Sequence, residues 1–131
     1  MTARPGTITF GELVDTAASR FGASEALCCQ GRRWSFSELR SDVDRAARGL
    51  IHLGVAPGDK VALWMPNRPE WIHLMFAIAK IGAVIVPINT RFRTADLEYV
   101  VRQSDSTTLI TVDHSGPVEY LEMVRELCPE L

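Results

Sequence analysis

The residues best placed to do chemistry are two arginines in the run Asn89-Thr90-Arg91-Phe92-Arg93, which follows the apolar stretch Ala83-Val84-Ile85-Val86-Pro87-Ile88. A strand that ends in arginines presents cations where open α/β sheets gather ligands, at the carboxyl ends of their strands. Arg91 and Arg93 are therefore candidate anion contacts. The competing reading is that both are solvated, or pair with Asp96 and Glu98 a few residues on.

Other constellations point elsewhere or nowhere. A phosphate-cradling loop needs glycines so that backbone N–H groups can approach the anion. The nearest run, Gly54-Val55-Ala56-Pro57-Gly58-Asp59-Lys60, is one residue short of the P-loop spacing. It also contains a proline without an N–H and sets Asp59 where phosphate would approach, so it reads as a turn feeding a strand. His52, His73 and His114 lie in different elements with no second histidine four residues on, which disfavours a metal site. His52 is expected at a helix C-terminus, His73 as a satisfied side chain of a buried helix, and His114 in a loop. Asp113-His114-Ser115 has the residue types of a hydrolase triad, but consecutive residues do not aim at one another as nucleophile, base and orienter must.

The elements that would position these groups follow from pattern. Thr9-Phe10-Gly11-Glu12 and Ser35-Phe36-Ser37-Glu38 are capping boxes, which predict helix starts near residues 10 and 36. The second helix sets Leu39, Val43, Ala46, Leu50 and Leu53 on one face and ends at Gly54. Between the helices, Gln30-Gly31 joins two short runs as a tight β-hairpin with Gly31 at positive φ. Lys60-Val61-Ala62-Leu63-Trp64-Met65 reads as a buried strand, and Asn67-x-Pro69-Glu70 opens a helix that is apolar on nearly all sides. That helix needs a cover on each side, one of which is expected from outside the chain. After Gly82 the run 83–88 reads as a strand buried on both faces, followed by a helix over 94–103 and a strand over 107–112. A last helix carries Val118, Leu121, Val124 and Leu127 on one face. The pattern predicts an α/β fold: a mostly parallel sheet flanked by helices, with an early β-hairpin. It reads as an incomplete part of a larger N-terminal domain, since another parallel strand is expected after the last helix.

Composition narrows the partners. In 131 residues, 14 basic and 16 acidic side chains are scattered without a basic stripe, so neither nucleic acid nor an acidic membrane is indicated. A hydrophobic content of 47% against 23% charged residues is that of a folding chain. Three cysteines, with Cys28 and Cys29 adjacent and no C-x-x-C spacing, suit a reduced, cytoplasmic setting. The N-terminus lacks a secretory pattern, and the apolar stretch over 71–79 is far short of the ~18–20 residues of a membrane span.

Four stretches, in order, resemble the opening of the adenylate-forming (AMP-binding) enzymes. They are Trp34-Ser35-Phe36-Ser37-Glu38-Leu39, Gly54-Val55-x-x-Gly58-Asp59-Lys60-Val61-Ala62, Asn67-x-Pro69-Glu70-Trp71 and Lys80-Ile81-Gly82-Ala83-Val84-Ile85-Val86-Pro87-Ile88-Asn89. Asn89 makes the last more similar to the acyl- and aryl-CoA synthetases than to peptide-synthetase adenylation domains, which usually carry Asp there. The resemblance implies an ATP-dependent acid–CoA ligase, of the kind that serves fatty acid metabolism, using ATP, CoA and Mg²⁺ on a carboxylic acid. It implies that residues 1–131 are the truncated N-terminal part of the large domain, with no second domain, a scaffold inactive without the remainder of the ligase chain. It assigns no catalytic or metal-binding residue here; Arg91 is carried over as a contact to the nucleotide phosphates of CoA. A stand-alone binding module on the same scaffold is the alternative, a homodimer is an open expectation, and a flavodoxin-like nucleotide binder ranks behind for want of a phosphate loop.

Overall fold

The computed structural model describes residues 6–131. A 3-10 turn, Phe10–Glu12, runs into α1, Leu13–Phe21. The hairpin of β1, Glu25–Cys29, and β2, Arg32–Ser35, is antiparallel and forms its own two-stranded sheet. Its turn sets Gln30 at φ 50 and Gly31 at φ 82, the pair of positive angles that a two-residue hairpin demands. Both capping boxes form. Thr9 and Glu12 close the first, with the Thr9 N–H 2.8 Å from Glu12 Oε2. Ser35 and Glu38 close the second at the start of α2, Phe36–His52, with the Ser35 N–H 2.7 Å from Glu38 Oε2.

The parallel sheet contains β3, Lys60–Trp64, β4, Val84–Pro87, and β5, Thr108–Thr111, in the order β4-β3-β5. Helix α3, Pro69–Lys80, links β3 to β4, and α4, Thr94–Ser104, carries the chain back past β3 to β5; α5, Tyr120–Leu127, follows. The two crossovers run in opposite directions along the sheet, and right-handed connections then put their helices on opposite faces. The cores agree. Val61 packs with α2 and α3 residues such as Val43, Leu50 and Ile78, whereas Ala62 and Trp64 pack with Leu97, Tyr120 and Val124.

Three expectations need correction. β4 is an edge strand of this sheet, with Val84 and Pro87 exposed, so its apolar run is not buried on both faces. The second cover of α3 comes from within the chain: α2 packs along it, and Phe10 stacks on Phe76 with ring centroids 5.0 Å apart. Val118 precedes α5 and pairs with Ser115 in an isolated bridge instead of joining the helix.

The N-terminal turn is locked to the end of α3 by shape and by charge. A Cβ at Gly11 would lie 2.8 Å from the Ala79 carbonyl oxygen and 2.9 Å from Lys80 Cα, so only glycine lets the two backbones approach this closely. Lys80 Nζ donates to Asp15 of α1 at 2.8 Å and to Asp44 of α2 at 2.5 Å. Burial pulls the Lys80 pKa down, but the bonds and charges of the two aspartates outweigh it and hold the ammonium above its ordinary value. Gly11→Ala is expected to destabilise the chain by about 1–3 kcal/mol, the usual cost of overpacking. Urea unfolding followed by circular dichroism measures it, and an unchanged midpoint would show that the turn moves away freely.

Candidate functional site

The carboxyl edge of the parallel sheet carries the loop 89–93 between β4 and α4, and the structure puts Arg91 and Arg93 there with different roles. Asn89 organises the loop. Its carbonyl oxygen accepts the indole N–H of Trp64 at 3.2 Å and the Phe92 N–H at 3.0 Å, while its side-chain oxygen accepts the Arg91 N–H at 2.9 Å. Trp64 is fully buried at the end of the central strand and its ring meets Tyr120 edge-on at 4.7 Å, so the loop is pinned to the core.

Arg93 turns inward on its own loop. Its Nη1 donates to the carbonyl oxygens of Thr90, Arg91 and Phe92 at 3.3, 3.1 and 2.9 Å. Its backbone N–H donates to Asp96 Oδ2 at 3.1 Å, which caps α4. Arg91 is exposed, and among the described residues its guanidinium makes no hydrogen bond, ion pair or ring contact. The expected alternative partners are engaged elsewhere: Asp96 with the Arg93 backbone, and Glu98 with Arg102 at 2.9 Å. Arg91 is thus a cation held at the sheet's carboxyl edge without an acid to neutralise it. Sequence reasoning named both arginines but missed Asn89 as the loop's organiser; an Asn two residues before a backbone N–H is the signature of an Asx turn and was the available signal.

The remaining chemistry-bearing residues do not assemble. The turn over 54–60 spends its N–H groups internally, with Ala56 N–H on Asp59 Oδ2 at 2.9 Å and Gly58 N–H on the Gly82 carbonyl at 2.8 Å. His114 contacts Asp113 at 3.2 Å, but Ser115 uses its backbone N–H on Val118 and its hydroxyl joins no histidine. Among the described residues no group of three or more His, Cys, Asp or Glu could hold a metal ion, and no helix is long and apolar enough to cross a membrane.

His73 departs from expectation. Its Nε2 is buried with no hydrogen-bond partner among the described residues, and Asp42 Oδ2 lies 3.7 Å away, too far for a bond. That oxygen accepts the Trp34 indole N–H at 3.0 Å, and the other Asp42 oxygen pairs with Arg45. Burial pushes the His73 pKa down; Asp42 and Glu70 pull it up, Arg32 and Arg45 push it further down, and the net value is below 6.5.

An open parallel sheet flanked by helices defines a segment of an α/β domain, the class whose ligands gather at the carboxyl edge of the sheet. The chain belongs to the AMP-binding enzyme family, whose model matches residues 14–131. Medium-chain acyl-CoA ligase ACSF2, mitochondrial, of Rattus norvegicus is 34% identical over 125 residues, which is 94% of this chain and 20% of that protein. The chain therefore spans about a fifth of the length of such curated relatives. The inhibitor-bound N-terminal domain of FACL13 from Mycobacterium tuberculosis superposes with a TM-score of 0.77 at 32% identity, covering 80% of this chain and 27% of that one. The anthranilate CoA ligase AuaEII in complex with anthranoyl-AMP shares the fold, with a TM-score of 0.85 over 98% of this chain and 24% of its own, at 24% identity. The chain is thus an N-terminal segment of the AMP-binding family, similar to proteins named as acyl-CoA synthetases and ligases.

The histidine gives a pH dependence with a definite sign. The unfolded chain takes up a proton near 6.5 while folded His73 stays neutral until lower pH, so stability is full above that value and falls as pH drops toward the folded pKa. Between pH ~7 and ~5.5 the wild type should lose more stability than His73→Gln, measured as denaturation midpoints at each pH. Parallel pH profiles would show that His73 titrates as it does in water.

Proposed function

We propose that the chain is the N-terminal part of the large domain of an ATP-dependent acid–CoA ligase, a scaffold that presents one CoA contact and does not catalyse by itself. In such a ligase a carboxylate oxygen attacks the α-phosphorus of ATP and pyrophosphate leaves; the CoA thiolate then attacks the acyl carbonyl and AMP leaves. Both steps bring anions together and need positive charge fixed in advance. The observation that carries the reading is the unpaired guanidinium of Arg91, on a pinned loop, in a member of the AMP-binding family. An exposed arginine free of any carboxylate suits the nucleotide phosphates of CoA, which its fork can meet with two parallel hydrogen bonds. In this reading Mg²⁺ would offset phosphate charge in the first step, and its ligands are assigned to the remainder of the ligase chain. The three free cysteines favour a reducing compartment, in keeping with a cytoplasmic setting.

A second reading is a stand-alone binding module, for which one surface feature offers a partner site. An apolar groove of about 670 Å³ runs beside the free edge of β5, lined by residues such as Leu97, Val101, Leu121 and Leu127. A module built to stand alone remains monodisperse in sedimentation, whereas a ligase segment with that groove uncovered associates with itself.

The purified 131-residue chain is expected to give no acid-dependent exchange of pyrophosphate into ATP. Exchange above the enzyme-free blank would overturn the scaffold reading. In the ligase containing this segment, Arg91→Ala should raise KM for CoA ~10-fold, the scale of one lost charge-assisted contact, and leave the exchange reaction unchanged.

A further inference from the structure

We propose that Arg93 is a positioning residue for Arg91, an inference that rests on the reading of Arg91 as the phosphate contact. It follows from the hydrogen bonds of the three peptide groups between Thr90 and Arg93. The peptide joining Thr90 to Arg91 has its carbonyl on Arg93 Nη1 at 3.3 Å and its N–H on Asn89 Oδ1 at 2.9 Å. The next has its carbonyl on Nη1 at 3.1 Å and the Phe92 N–H on the Asn89 carbonyl at 3.0 Å. The third has its carbonyl on Nη1 at 2.9 Å and the Arg93 N–H on Asp96 Oδ2 at 3.1 Å. Every peptide plane from Thr90 to Arg93 is therefore held at both ends, and the carbonyl end of each is held by the same cation.

This arrangement does two things for Arg91. Three carbonyl dipoles converge on Nη1, so the loop's partial negative charge is turned toward Arg93 and away from any anion approaching its outer side. It also fixes the two peptide planes flanking the Arg91 Cα, which sets the direction in which that side chain leaves the loop. Among the described residues Arg93 has no carboxylate within salt-bridge distance, and its Nη1 is committed to the backbone of the loop. One nitrogen of the guanidinium is thus spent on the three carbonyls that flank Arg91, and through them Arg93 acts on the conformation of its neighbour. Without it, three exposed carbonyls return to water, the loop samples more conformers, and a bound phosphate must re-order them at a cost in affinity.

The test is a double-mutant cycle in the ligase containing this segment, read as KM for CoA beside the acid-dependent pyrophosphate exchange, which uses no CoA. Arg93→Gln is expected to raise KM for CoA ~3- to 10-fold with the exchange rate unchanged, and to add nothing once Arg91→Ala is present, as coupled neighbours do. Arg93→Lys, which restores a cation able to reach the carbonyls, should recover part of the loss. If Arg91→Ala raises KM and Arg93→Gln does not, or if the two effects multiply, Arg93 does not act through Arg91 and the inference falls while the reading of Arg91 stands. If Arg91→Ala itself leaves KM for CoA unchanged, the phosphate-contact reading fails, whatever Arg93 does. Loss of exchange in Arg93→Gln would show a general structural role and overturn the inference equally.

Discussion

The whole architecture depends on β3 being buried on both faces. Val61, Ala62, Leu63 and Trp64 are all at 0% exposure, and fully burying a side chain such as Leu63 is worth about 1.5–3 kcal/mol. That gain exists only if helices cover both sides of the strand. The two crossovers, β3 to β4 and β4 back past β3 to β5, must therefore run in opposite directions along the sheet, giving the order β4-β3-β5 with α3 below and α4 and α5 above. The carboxyl ends of the strands then face one edge with loops diverging from it, and the loop bearing Arg91 sits there as a consequence of covering β3.

The two sides of the sheet do different work. On the α2 and α3 side the contacts are mechanical: Gly11 lets the N-terminal turn touch the α3 backbone, and Lys80 ties α1, α2 and α3 together through two aspartates. Each of those pairs is partly solvated, so each is worth about 1 kcal/mol or less, and steric fit carries more of the docking than charge does. On the α4 and α5 side the contacts lead outward, from Trp64 through Asn89 to the arginine loop.

Local grammar carried most of the fold in the sequence. Both capping boxes, the hairpin turn, the stops at Gly54 and Gly82 and the parallel strands follow from signals within a few residues. What local pattern misjudged depends on neighbours distant in the chain. The apolar run of β4 is that of an internal strand, but its place at the sheet edge is decided by which strands are paired with it. His73 sits on a helix that must be buried, yet its missing partner is known only once Asp42 is seen to be taken by Trp34 and Arg45. The loop 89–93 lies between these cases. Its arginines announce charge, but sequence cannot say which one faces the backbone, because that depends on where the carbonyls point.

Trp64 is what joins the buried strand to the exposed charge. The ring fills the upper core against Tyr120 while the indole N–H reaches the Asn89 carbonyl, and an indole buried this deeply must find an acceptor. The same carbonyl also receives the Phe92 N–H, so the requirement to satisfy a core side chain sets the first turn of the loop. Arg93 then closes the loop from the opposite side. A phenylalanine at position 64 would keep much of the ring contact and lose the tether, so the geometry of the arginine loop would suffer before the stability of the sheet did. Presentation of Arg91 is in this sense a property of the core, transmitted through one N–H and one carbonyl oxygen, and not of the surface on which the arginine lies.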